Sequence, residues 1–117
     1  MSLTNRIHAA YTFRVDPDDD LVALCTGFDW DGGNLEKNWE RHRVAFWEAE
    51  EIFFNRPLIV ETDTAHSSVE QRFRALGQTD AERLLFISFT IRRTLIRIIS
   101  ARDMTRSEVR TYGHTKA

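Results

Sequence analysis

Apolar residues recur at helical spacing in the first half of the chain and at every second position in the later half, and the change falls at Pro57. Phe28-Asp29-Trp30-Asp31 alternates apolar and acidic residues, the pattern of a half-buried edge strand, and Gly32-Gly33 ends it. Asn34–His42 then sets Leu35, Asn38, Trp39 and His42 on one helical face, with Asp31 or Asn34 placed to cap its N-terminus. Val44–Phe54 is a second amphipathic helix with the stripe Phe46, Ala49, Ile52 and Phe53, and Asn55-Arg56-Pro57 stops it. From there four strands follow at period two: Pro57–Thr62, Gln71–Leu76, Arg83–Ile91 and Leu95–Ala101. Their short links predict antiparallel neighbours. Thr105 and Glu108 stand at capping-box spacing and open a last helix ending near Tyr112. The prediction is α+β: two helices packed on an antiparallel sheet of four or five strands, closed by a short C-terminal helix.

The first 27 residues read differently. Val15-Asp16-Pro17-Asp18-Asp19-Asp20 predicts a turn or loop and Leu21–Thr26 a short strand. Residues 1–27 are therefore set apart as an extension of a domain spanning 28–117. Cys25 is the only cysteine, which excludes an intrachain disulfide, and its apolar neighbours predict a buried, inert thiol. No apolar run reaches the roughly 20 residues that span a bilayer, and the N-terminus lacks a signal-peptide pattern, so a cytoplasmic protein is expected. Charge changes the picture more. Residues 83–117 hold eight Lys or Arg against two Asp or Glu, which leaves the first 82 residues at −8 within a chain of −2. Cationic character gathered on strands and a helix that can share a surface points to an anion site. Arg72, Arg74, Arg97 and Arg102 can meet on the sheet face away from the helices.

Three groups of residues, in order, resemble the BrnT toxin family. The first is Phe28-Asp29-Trp30-Asp31 with Asn38, His42-Arg43-Val44, Glu48-Ala49 and Phe53. The second is Glu70-Gln71-Arg72-Phe73, Gly77, Arg83-Leu84-Leu85-Phe86 and Thr90-Ile91-Arg92. The third is Arg97-Ile98-Ile99-Ser100-Ala101-Arg102 with Glu108 and Tyr112. The likeness spans residues 28–112 and departs from the family at Arg43, where glycine is usual. A left-handed turn there would cost about 1 kcal/mol relative to glycine. The resemblance implies a RelE-like ribonuclease fold and an endoribonuclease that cuts RNA without metal or other cofactor. It also implies a ribbon-helix-helix antitoxin as partner, with operator DNA bound through the complex.

Such a reaction needs a proton acceptor for the 2′-hydroxyl, cations for the pentavalent phosphate and a proton for the leaving oxygen. Arginine suits the second role through its bidentate, permanently charged fork. Arg102 and Arg92 are the catalytic candidates of this kind, and Arg97 a candidate RNA contact. His42 is the histidine among the residues that carry the resemblance and the candidate acid or base; its other reading is a helix C-terminus packed against the dipole. Glu108 is a further catalytic candidate, although its spacing suits a capping residue better. Tyr112, one helical turn on, can stack on a base. Trp39 and Trp47 read as core, and Trp30 as core or as a residue lining the RNA site. His8, His66 and His114 fall in loops or tails and form no ligand pattern with Cys25, so no metal site is expected. The alternative function is a noncatalytic module that binds the antitoxin and takes part in operator regulation. A metal-dependent nuclease would need a carboxylate or histidine cluster that the sequence lacks.

Overall fold

The computed structural model describes residues 21–67 and 69–116. The expected loop at residues 15–20 and most of the 1–27 extension lie outside the described residues. Strand β1 (Gly27–Asp29) leads to helix α1 (Gly32–His42) and helix α2 (Phe46–Glu51), which tightens into a 3-10 turn at Ile52–Phe54. Strands β2 (Ile59–Thr62), β3 (Arg72–Gln78), β4 (Leu84–Arg92) and β5 (Leu95–Asp103) follow, then helix α3 (Arg106–Lys116). A 3-10 turn at Thr64–His66 interrupts the β2–β3 connection.

Local signals account for most boundaries. Asp31 caps α1, its Oδ1 accepting from Gly33 N at 2.8 Å and Asn34 N at 3.3 Å. Arg43 ends the same helix in the left-handed region, at φ 52° and ψ 38°, its N–H reaching back to Asn38 O and Trp39 O. The chain therefore adopts at Arg43 the conformation that glycine takes without strain. Thr105 and Glu108 form the expected capping box: Glu108 N donates to Thr105 Oγ1 at 3.2 Å and Thr105 N to Glu108 Oε1 at 2.9 Å.

The five strands run in the order β1-β5-β4-β3-β2. Strands β2 to β5 form an antiparallel meander, as their short links require. β1 lies on the outer edge of β5 and runs parallel to it, Phe28 opposite Ile96 and Asp29 opposite Arg97. The sheet is mixed, which corrects the all-antiparallel expectation. Link length could not reveal this pairing, because both helices and three strands separate β1 from β5. Leu21–Thr26 is also corrected: residues 21–24 form a helical turn, with Leu24 N on Leu21 O and Cys25 N on Val22 O. That turn places Val22, Ala23 and Cys25 in the core. Burial pushes the Cys25 thiol up to about 11, leaving it protonated and inert.

The core lies between the helical layer and one sheet face. Phe73, Ala75, Leu85, Ile87, Phe89, Ile96 and Ile98 rise from the strands to meet Ala49, Ile52 and Phe53. Phe53 meets Phe89 edge-on at 5.2 Å, and Phe89 stacks on Phe73 at 5.5 Å; burying each such ring contributes about 1.5–3 kcal/mol. Gly77 lets the 3-10 turn press against β3, since a Cβ there would lie 2.9 Å from Ile52 Cβ. The helical stripes differ from expectation. On α1 the residue facing the sheet is Asn38, whose Oδ1 accepts from Ala101 N at 3.1 Å. Trp39 and Trp47, expected in the core, are 48% and 56% exposed, and with Leu35 and Phe46 they line a shallow apolar surface pocket. A bulge in β5 opposite Ser88/Phe89 lets Ile98 point into the core and keeps Arg97 and Arg102 on the far face.

Candidate functional site on the open sheet face

Register makes the far face legible as three cross-strand rows. One row is Arg72 (β3), Thr90 (β4), Arg97 (β5) and Asp29 (β1). The next is Glu61, Arg74, Ser88 and Ser100, and the third is Ile59, Leu76, Phe86 and Arg102. Neighbouring strands lie about 4.8 Å apart, so the Arg72 and Arg97 backbones are separated by about 10 Å. The four arginines expected on this face are all there. They do not converge on one point: four residues of β4 separate the first row from the third, about 13 Å.

The first row forms the floor of an open cleft of about 490 Å³, walled by Asn34, His66, Glu70 and Arg92. Arg97 donates through Nη1 to Asp29 Oδ2 at 2.9 Å and through Nη2 to Asp31 Oδ2 at 3.1 Å. The Asp31 carboxylate thus caps α1 with one oxygen and holds Arg97 with the other. The Asn34 and Gly33 N–H groups, with Arg97 adding to them, keep its carboxyl below the usual range. Arg92 makes a two-pronged pair with Glu70, at 2.9 and 3.2 Å, and this pairing is the main cause of the lowered Glu70 pKa. Two donors in the cleft remain uncommitted. The Arg72 guanidinium has no hydrogen bond or ion pair among the described residues; its backbone N–H donates to Ser67 Oγ. Thr90, between the two arginines, is 2% exposed, and its Oγ1 makes no hydrogen bond among the described residues. Buried polar groups are usually satisfied, and Thr90 is among the residues that line the cleft.

The third row carries Arg102. Its guanidinium lies 4.1 Å from the Phe86 ring centroid and donates to both Glu108 oxygens, at 2.8 and 3.0 Å. Helix α3 is therefore docked over this end of the face through Arg102–Glu108. Tyr112, on the same helix, is buried, its hydroxyl donating to Pro57 O at 2.6 Å. Burial pushes its phenol up to about 12. The Tyr112 ring packs α3 onto the sheet and has no free face for a base, which corrects the stacking role.

His42 stands elsewhere. Its carbonyl accepts from Arg83 Nη2 at 3.1 Å, within a clamp in which Arg83 also holds Arg43 O, Glu48 and Asp103. Arg83 precedes β4, and Thr90 lies about 23 Å further along the strand, so His42 does not reach the cleft. Trp30 packs against the core, the first of its two readings, and donates through Nε1 to Glu50 Oε2 at 2.8 Å; it is not among the residues lining the cleft. Residues that sequence reasoning passed over are Arg72 as an unpaired donor, Thr90, Glu70 and His66. Alternation within RFRAL and SFTIR marks Arg72 and Thr90 as same-face residues, but only register sets them side by side. Among the described residues no three His, Cys, Asp or Glu side chains are grouped to hold a metal ion.

Charge segregation along the chain is largely cancelled in space. Arg92 and Arg97 meet acids from the other part of the sequence, so the face is a set of exchangeable ion pairs around Arg72 and Thr90. These features define a class: a small α+β domain whose mixed sheet is packed under helices on one side and carries polar, arginine-bearing rows on the other. The chain belongs to the BrnT family, the ribonuclease toxins of type II toxin–antitoxin systems, whose family model matches residues 30–108, well over half of the chain. Its fold is similar to that of the Brucella abortus ribonuclease toxin BrnT, known from a 1.1 Å crystal structure. The two share 18% identity with a TM-score of 0.53, over 68% of this chain and 97% of the other. No curated protein matches the chain significantly. Membership implies an RNA substrate and an antitoxin partner. No helix among the described residues is long and apolar enough to cross a membrane.

Proposed function

We propose that this chain is itself an active endoribonuclease, the cytoplasmic toxin of a type II pair with a RelE-like, metal-independent reaction. The observation that carries the reading is the row Arg72–Thr90–Arg97, which sets along the floor of a cleft a guanidinium and a hydroxyl without partners among the described residues, and a second guanidinium. A phosphate there would accept from Arg72 and Thr90 and draw Arg97 from Asp29 and Asp31. Arg92 would exchange Glu70 for RNA in the same way. Both exchanges trade one charge-assisted pair for another and leave no cation unpaired. Arg102, about 13 Å away along the face, would hold the strand at a second point, with Glu108 as its partner in the free protein.

In the reaction the 2′-oxygen gives up its proton and attacks phosphorus, the P–O5′ bond breaks, and the 5′-oxygen takes a proton. The arginine row stabilises the charge that builds on the phosphoryl oxygens. A ribbon-helix-helix antitoxin would neutralise the toxin and carry the complex to operator DNA. The exposed Trp39–Phe46–Trp47 surface is the apolar area suited to that partner.

A second reading, a noncatalytic antitoxin-binding module, is favoured by one feature: Arg92, Arg97 and Arg102 are each already paired with acid. Incubating diverse RNAs with the pure protein, with and without chelator, separates the readings. Cleavage unaffected by chelator is expected for the wild type, with loss in Arg72→Ala and Arg102→Ala at an unchanged circular-dichroism spectrum. No cleavage of any RNA favours the second reading. A folded Arg102→Ala protein with full activity refutes the role given to Arg102.

A further inference from the structure

We infer that His66, oriented by Asp63, is the proton acceptor of this cleft, taking the role that the sequence expectation gave to His42. The inference rests on the ribonuclease reading. His66 lines the same cleft as Arg72, Thr90, Arg92 and Arg97. Its Nδ1 lies 2.9 Å from Asp63 Oδ2. An ionised carboxylate can only accept, so Nδ1 carries the hydrogen, and in the neutral ring Nε2 then keeps its lone pair for a substrate proton. The two side chains are unlike in exposure: Asp63 is 13% exposed and His66 68%. The orienting group is therefore sheltered, and the ring that would meet substrate is open.

The turn that carries the pair is tied to the first row of the sheet. Asp63 N donates to Arg72 O at 2.8 Å, and Arg72 N donates to Ser67 Oγ at 2.9 Å. Ser67 Oγ donates in turn to Asp63 O at 2.6 Å, and His66 N donates to the same carbonyl at 3.3 Å. These bonds tie the backbone of the turn to that of Arg72, whose guanidinium lines the same cleft. The charged groups around the imidazole are Asp63, Glu70 and Asp31, opposed by Arg72, Arg92 and Arg97.

In the step, His66 Nε2 takes the 2′-hydroxyl proton as the 2′-oxygen bonds to phosphorus. The P–O5′ bond breaks, leaving a 2′,3′-cyclic phosphate. The 5′-oxygen leaves with a proton from water, and the imidazolium returns its own to solvent. A base positioned in this way contributes on the order of 10²–10⁴-fold.

The test is single-turnover cleavage of single-stranded RNA oligonucleotides from pH 5 to 9 by wild type, His66→Ala, His66→Gln and Asp63→Asn. RNA affinity and thermal melting are measured on each protein. His66→Ala and His66→Gln should both be slowed about 100-fold or more, at unchanged affinity and melting, and should lose the acid limb of the pH–rate profile. Free imidazole should restore part of the His66→Ala rate. Asp63→Asn should fall between these variants and wild type. Wild-type rates in both His66 variants overturn the inference and leave the ribonuclease reading intact. A rate loss that only follows lost RNA affinity overturns it too. If the wild type cleaves none of the RNAs, the ribonuclease reading itself fails and the inference falls with it.

Discussion

Glu108 joins the C-terminal helix to the arginine face, and Glu108→Gln separates its two duties. Oε1 accepts from Thr105 N and Arg102 Nη1, and Oε2 accepts from Arg102 Nη2. Glutamine keeps an oxygen for the cap but puts an NH₂ group against a guanidinium donor and removes the charge. A hydrogen bond to a charged group contributes about 1.5–3 kcal/mol when buried, and an exposed ion pair at most about 1 kcal/mol. With the side chains 33% and 22% exposed, the pair falls between these limits, and a loss of about 1–1.5 kcal/mol is expected at pH 7. Glu108→Ala should lose about a further 0.5–1 kcal/mol with the cap. The Arg102 hydrogen bonds are the first cause of the lowered Glu108 pKa, ordinarily 4.5. A carboxyl lowered in the folded state adds stability in full above its unfolded pKa and loses it as the pH falls through the folded one. The gap between wild type and Glu108→Gln should therefore be constant at neutral pH, narrow below 4.5 and close in stronger acid. Urea denaturation followed by far-UV circular dichroism at neutral and acid pH measures this. A gap that is absent at pH 7, or equally wide in strong acid, would refute the Arg102–Glu108 pairing.

Two further substitutions probe the backbone. Gly77→Ala puts a methyl group 2.9 Å from Ile52 Cβ, and denaturant midpoints should show a loss of about 1–3 kcal/mol. At Arg43, comparing Arg43→Gly with Arg43→Ala removes the contact with Trp39 in both. The glycine variant should be more stable by about 1 kcal/mol, because only the alanine keeps a Cβ at φ 52°; equal melting points would contradict the left-handed turn. On the open face, Arg72→Ala should weaken RNA binding and flatten its salt dependence, read by titration at several ionic strengths.

What the sequence determined by itself is local. Period-two and helical spacing placed the meander and both N-terminal helices; Asp31, Thr105 and Glu108 announced their caps. Apolar neighbours anticipated the burial of Cys25; the left-handed residue at Arg43 was suggested only by the family resemblance, where glycine is usual. These follow from residues within a turn or two of each other, where sterics and backbone hydrogen bonds leave few options. Tertiary structure decided the rest. Nothing local shows that β1 runs parallel to β5, and that pairing brings Asp29 and Asp31 to Arg97, so two chain segments of opposite charge neutralise each other. Burial of Tyr112 depends on where α3 docks, and the outward turn of Trp39 and Trp47 on which face of each helix the sheet accepts. His66, in a Ser- and Thr-rich loop with no periodic signal, gains its place from the hydrogen bonds that Asp63 and Ser67 make with the Arg72 backbone across the β2–β3 connection. A site of this kind is made by register and long-range pairing, and residue types alone do not specify either.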